Sequence, residues 1–322
     1  MQGVFMSYRK SKIIFRYAIF LLLSVAIGLA TVAIANGQMY RWVDDKGQLH
    51  FSNSPQAVPD EVRNKNNEYK PDTSSITINK TAKTSLDSGI DTSSQLSAKQ
   101  QQKNTISIPY TANEGYASRV IIDVTFNGQV TVPMLVDTGS PGLVISNNLA
   151  DRLNLFDEEG GRLMVIISGI GGQKMATKSI IDKLEIGGIT EKFIPTHIVT
   201  GMSSSHYQGL IGMDVLSSYT MTIDPTQHRL IANPIPAAQD LPAGRSRSWW
   251  QANFREFGFY SEYWKRQEEL MGKSDSAYAR LPTSEKERIK NFILQQKNKA
   301  TELYNKLESF ARWNTVPRHW RR

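Results

Sequence analysis

The residues best placed to do chemistry in this 322-residue chain are Asp137, Thr138 and Gly139, which close the run Val132-Pro133-Met134-Leu135-Val136. An apolar run delivers one aspartate onto a Thr-Gly turn, and the triplet occurs once. A carboxylate that activates water must be sheltered, held still and open to substrate. A strand ending in Asp-Thr-Gly meets those needs: the strand is core, Thr138 can anchor the turn, and Gly139 lets backbone approach backbone. One carboxylate cannot serve as both acid and base. The single copy therefore predicts a homodimer, with Asp137 and its symmetry mate at the shared axis.

A bare Asp-Thr-Gly is also an ordinary turn, since Asp and Gly favour turns. Its surroundings decide between the two. Upstream, Val120-Ile121-Ile122-Asp123-Val124-Thr125-Phe126 followed by Asn127-Gly128-Gln129 reads as a strand and a hairpin turn leading into the Asp137 strand. Downstream, Arg162–Ser168 is an apolar stretch that runs into Gly169-Ile170-Gly171-Gly172. Alone, those glycines would read as a flexible surface loop. Later, Gly209-Leu210-Ile211-Gly212-Met213-Asp214-Val215-Leu216 is a short apolar segment bounded by glycines, of a kind that is most often plain core.

In that order and spacing, the segments between about residues 105 and 235 resemble the retropepsin-like (retroviral-type) aspartic proteases. The resemblance implies an all-β, single-lobe acid-protease barrel, here with a C-terminal helical extension. It implies catalysis by Asp137, Thr138 and Gly139, and a substrate-binding flap at Gly169, Ile170, Gly171 and Gly172. The backbone N–H of Ile170 would help hold a water or a substrate carbonyl, and Leu210, Ile211 and Gly212 would pack beside the reactive strand. Thr138 would lock the pair across the dimer. The substrate would be a polypeptide bound extended between apolar pockets, with no metal or cofactor required. Retroviral enzymes usually carry Ala after the triplet, whereas this chain has Ser140, then Pro141 and Gly142. A serine hydroxyl donating to the Asp137 carboxylate would favour its ionised form and move activity toward acid. Pro141-Gly142 alters the local pocket.

Other chemistries find little footing. Cysteine is absent, which removes thiol nucleophiles and thiolate metal sites. The five histidines, His50, His197, His206, His228 and His319, show no metal-ligand spacing. No internal repeat is visible, which argues against two catalytic lobes in one chain.

The N-terminus bears on location. Arg9, Lys10, Lys12 and Arg16 precede the uncharged run 17–35, which ends Ala33-Ile34-Ala35. This reads either as a secretory signal over 1–35 cut before Asn36, or as a retained membrane anchor. Both place the remainder outside the cytoplasm, in a periplasm or on the periplasmic face of the inner membrane. Residues 36–69 hold two alternating runs around Asp44-Asp45-Lys46-Gly47, a β-hairpin that resembles a small envelope module of unknown function. It is too short for its own core. Residues 70–106 are rich in Ser, Thr, Lys and Gln and read as a tether, and 107–236 form the barrel.

Residues 245–322 differ again. They hold 17 Lys and Arg against 9 Asp and Glu, a net +8 that equals the charge of the whole chain, and five of its six tryptophans. Ile289, Phe292, Ile293, Gln296, Ala300, Leu303, Leu307 and Phe310 recur at helical spacing, predicting a helix over 285–311 opened by a Ser284/Glu287 capping box. An earlier helix is expected around 250–271. This part either packs on the barrel or on itself with a basic face outward, or lies on an anionic membrane surface. A protein partner is a further option, and nucleic acid is not expected of an exported chain. The competing reading of the whole is a non-catalytic peptide-binding or adaptor module on the same fold.

Overall fold

Alternating burial drives the β half of the molecule. In the strand Arg119–Phe126 (β5), Ile122, Val124 and Phe126 point into the core, and in Val130–Val136 (β6) Val132 and Met134 do so. The turn between them is Asn127-Gly128-Gln129, whose first two residues have positive φ (51° and 71°) and whose Gln129 N–H donates to the Phe126 carbonyl at 3.0 Å.

The computed structural model describes residues 40–44, 49–52, 58–59, 105–113, 119–140, 142–156, 161–169, 172–202, 204 and 206–322. The expectations for residues 1–35 and for most of the tether lie outside these, as do Pro141, Ile170 and Gly171. Among the described residues no helix is long and apolar enough to cross a membrane.

Two sheets make up the β region. The larger also contains Thr111–Asn113 (β4), Leu143–Ser146 (β7), Leu163–Gly169 (β8), Gly172–Ile186 (β9), Ile189–Val199 (β10) and Gly209–Ile211 (β11), in the order β4-β5-β6-β11-β7-β10-β9-β8. An extra pairing of Thr125 and Phe126 with Glu185 and Leu184 joins β5 to β9 and closes six strands into a ring. Inside lie Phe126, Met134, Leu143, Ile145, Ile181, Leu184, Ile211 and Leu216. A short helix, Asn147–Arg152 (α1), follows β7, capped by Ser146, whose Oγ accepts the Leu149 N–H at 3.1 Å.

The smaller sheet runs β1-β2-β12-β13-β3, from Tyr40–Val43 (β1), Leu49–Ser52 (β2), Tyr219–Asp224 (β12), Arg229–Pro234 (β13) and Ile106–Pro109 (β3). The N-terminal hairpin thus adds β2 to the edge of β12, pairing Phe51 with Met221 and His50 with Thr222. Phe51 enters the shared core, which supplies the hydrophobic backing so small a hairpin lacks. The His50 ring sits between Thr222 Oγ1 (2.7 Å) and Asp44 Oδ2 (3.0 Å) and stacks on Trp42.

After a single helical turn at Pro236–Gln239 (α2), two long helices follow, Arg247–Met271 (α3) and Thr283–Trp313 (α4). The periodic set buries as its spacing demands: Ile289, Ile293, Gln296, Ala300, Leu303 and Leu307 all face inward. Most of the tryptophans are packing residues. Trp250 and Trp264 are buried, with Trp250 against Phe310 and Trp264 edge-on to Phe292, and only Trp313 is fully exposed. The Ser284/Glu287 capping box does not form. The helix begins two residues earlier, at Thr283 behind Pro282, which has no N–H for a reciprocal side-chain bond, while its carbonyl accepts the Lys286 N–H at 2.9 Å.

Candidate functional site

β11 lies in the slot between β6 and β7, parallel to the first and antiparallel to the second. The chain leaving β6 must therefore cross over the end of β11 to reach β7, and residues 137–142 make that crossing. Ile211 pairs with Val136, and the next rung is the Asp137 N–H donating to the Ile211 carbonyl at 3.0 Å. Beyond it, the Gly212 N–H donates to the Gly142 carbonyl and the Met213 N–H to the Ser140 carbonyl, each at 3.1 Å. The turn that carries the aspartate is stitched to β11 on both sides.

Gly212 is required by this stitching. A β-carbon there would come within 2.6 Å of the Gly142 N, and nearer still to the Ser140 carbonyl oxygen. Real β-carbons do not approach that closely, so the residue must be glycine. Leu210 is half-buried and Ile211 fully buried, wedged between the flanking strands.

Asp137 is half-buried, and its Oδ1 accepts the Gly139 N–H at 2.9 Å, which holds the carboxylate within its own turn. Thr138 is half-buried and Gly139 exposed. Ser140 departs from the sequence expectation. Its hydroxyl donates to the Gly142 carbonyl at 3.1 Å, closing the loop on itself instead of serving the Asp137 carboxylate. A serine hydroxyl bonding a backbone carbonyl two residues on is a common local arrangement in turns. The acid-shifting role assigned to Ser140 thereby loses its basis.

β8 and β9 form a long hairpin whose last described rung is Gly169 opposite Gly172. Burial stops at Ala176; residues 172–175 and 168–169 are exposed. Gly172 has φ +87°, which disfavours any side chain, and open space surrounds it. Ile170 and Gly171, assigned to the tip, fall outside the described residues.

Two charged clusters, built around the buried side chains of Arg245 and Lys178, were not foreseen. The Asp214 carboxyl backs onto Gly142: a β-carbon there would stand 3.5 Å from Oδ2. Asp214 Oδ1 is shut off from solvent and has no hydrogen-bond partner among the described residues. Burial raises its pKa to about 6, against the opposing pull of Arg245 and Lys178. Arg245, just before α3, is itself buried; it donates to the Asp214 carbonyl, to Ser217 Oγ (3.1 Å) and to Glu191 Oε2 (2.7 Å). Burial pushes the Glu191 carboxyl up despite that guanidinium. The second cluster joins Lys178 on β9, His197 on β10 and Glu256 on α3, with Lys178 Nζ 2.9 Å from Glu256 Oε1 and 3.3 Å from His197 Nε2. Burial opposes the Glu256 charge, but Lys178 and His197 prevail and pull it down to about 2. An acid inside the apolar run Met213–Leu216 is a sequence signal for Asp214. Arg245, in a short polar stretch with Arg247, carries none.

Residues 122–215 match the family described as Aspartyl protease, and residues 26–85 one described as a domain of unknown function. The recognition of an aspartic-protease domain behind an N-terminal module of unknown function is thus borne out. A solved retropepsin-like aspartic protease from Rickettsia conorii is similar at 23% identity and a TM-score of 0.33, over 41% of this chain and 91% of that one. No curated protein matches.

Proposed function

We propose that this chain, whose residues 122–215 carry an aspartyl-protease domain, is an exported aspartic endopeptidase that works as a homodimer. The observation that carries the reading is the setting of Asp137: a half-buried carboxylate on a turn bonded to β11 on both sides, in a sheet that also extends a glycine-ended hairpin. The chain holds one such turn, so the second carboxylate comes from a second copy. Side by side, the two Asp137 groups share one proton. The ionised member takes a proton from water, which attacks the peptide carbonyl. The protonated member hydrogen-bonds the carbonyl oxygen and then helps protonate the departing amine. The peptide lies extended under the β8–β9 hairpin. Residues 1–35 direct the domain out of the cytoplasm, to the periplasm or the periplasmic face of the inner membrane.

The test is cleavage of an unstructured protein by the full-length chain between about pH 3 and about pH 7, with and without pepstatin, beside Asp137→Asn. The expected outcome is pepstatin-sensitive cleavage that weakens on dilution and falls by about a thousandfold or more in the variant. A folded dimer that binds peptide and never cuts it would return the chain to a peptide-binding role.

A further inference from the structure

The β8–β9 hairpin is clasped at one rung by both helices of the C-terminal extension. Among the described strands β8 ends its sheet, so its outward backbone groups face no described strand. Gln296 of α4 fills that place. Its Oε1 accepts the Met164 N–H at 2.7 Å and its Nε2 donates to the Arg162 carbonyl, so one side-chain amide does the work of a peptide group on a neighbouring strand. Gln296 is 2% exposed, a long polar side chain committed wholly to this contact. The two backbone groups it satisfies flank Leu163, and Leu163 pairs across the hairpin with Lys178. Lys178 is the residue held from α3 by Glu256. One rung is therefore gripped from both sides, by α4 on β8 and by α3 on β9.

Beyond this rung the hairpin loses its support stepwise. The pairs Met164–Thr177 and Val165–Ala176 still contribute buried residues. The remaining pairs, Ile166–Met175, Ile167–Lys174, Ser168–Gln173 and Gly169–Gly172, are exposed on β9. They form a free arm of roughly 10 Å. We propose that Gln296 and Glu256 are positioning residues that fix the fulcrum of the substrate-covering hairpin, and that the C-terminal helices thereby set its height and its freedom over Asp137. The proposal rests on the protease reading only for what the hairpin covers; the clasp itself is independent of it. A helical extension that only stabilised the fold would have no reason to bring a buried glutamine and an ion-paired glutamate to one rung.

The experiment is amide hydrogen exchange on the full-length chain and on Gln296→Ala, followed by peptide-cleavage kinetics. The variant leaves the Met164 N–H and the Arg162 carbonyl without partners. Exchange over residues 164–175 should quicken by about tenfold or more, with β5 and β6 unchanged. In cleavage, KM should rise while kcat changes less, because substrate capture weakens before the chemistry does. Gln296→Glu keeps the acceptor for Met164 and loses the donor to Arg162, so it should fall between the two and covers the case in which the alanine variant does not fold. Unchanged exchange, or an equal increase across β5 and β6, would overturn the clasp. A wild-type chain that cuts nothing would sink the protease reading instead, and the exchange pattern would still decide this one.

Discussion

The carboxyl group of Asp214 packs against Gly142, so a buried acid forms the floor of the turn that carries Asp137. Burial lifts its pKa from 3.8 to about 6, which means the folded state holds this proton more tightly than the unfolded chain does. A raised carboxyl contributes stability that is complete below about pH 3.8 and is lost as pH rises through about 6. Glu256 is tuned the other way. Its folded pKa near 2 contributes stability above 4.5 that disappears as pH falls toward 2. Together these two groups place their joint maximum between pH 3.8 and 4.5. Asp214→Asn, uncharged at every pH, should remove the decline between pH 4 and 6; thermal melts across that range would show it, and an unaltered profile would refute the assignment.

Gly212→Ala should be among the most damaging changes in the molecule. The new methyl would displace the Ser140 and Gly142 backbone, and overpacking of that kind costs about 1–3 kcal/mol or more. Because the displaced segment carries Asp137, activity should be lost well before the fold is. The check is a comparison of urea midpoint with cleavage rate; a variant with ordinary kinetics would mean the turn tolerates the push.

Ser140→Ala is expected to be mild. The hydroxyl bonds a carbonyl within the same turn, so its loss should cost about 1 kcal/mol and leave the pH dependence of cleavage where it was. Had the hydroxyl served the Asp137 carboxylate, the acid limb of the profile would move. A pH–rate curve for the variant separates the two.

Arg245 anchors the extension beneath the turn. Replacing it with Met leaves Glu191 buried without its guanidinium and the Asp214 carbonyl without a donor. Removing one member of a buried pair typically costs about 3–5 kcal/mol. The companion Glu191→Gln in the same chain should restore part of that, since the stranded charge is then gone. A double variant no better than the single would place the loss elsewhere.

Much of this was legible in the sequence, for a physical reason. Alternation in 120–136, the Asn127-Gly128 turn and the helical spacing from Ile289 to Phe310 are local patterns, and each forms the element its period requires. Asp137 could be picked out because it ends an apolar strand on a Thr-Gly turn. What escaped were the contacts between distant segments. Nothing near Arg245 marks it as the partner of Glu191, and nothing near Gln296 marks it as a surrogate strand for β8. The Ser140 expectation failed for the same reason: the acceptor its hydroxyl chose was fixed by how residues 137–142 cross β11.

The smaller sheet places β2 and β3 on opposite sides of the β12–β13 pair. The chain from residue 60 to residue 104 thus begins and ends at the same sheet. Cutting it, whether by this protein or another, would not set the N-terminal hairpin loose. β2 would remain bonded to β12 with Phe51 in the core, and the two pieces would travel as one particle in gel filtration while parting on a denaturing gel. A nick in that stretch would therefore leave the body of the molecule joined, through β2, to any membrane tie that residues 1–35 supply, and only a cut ahead of β1 would release it.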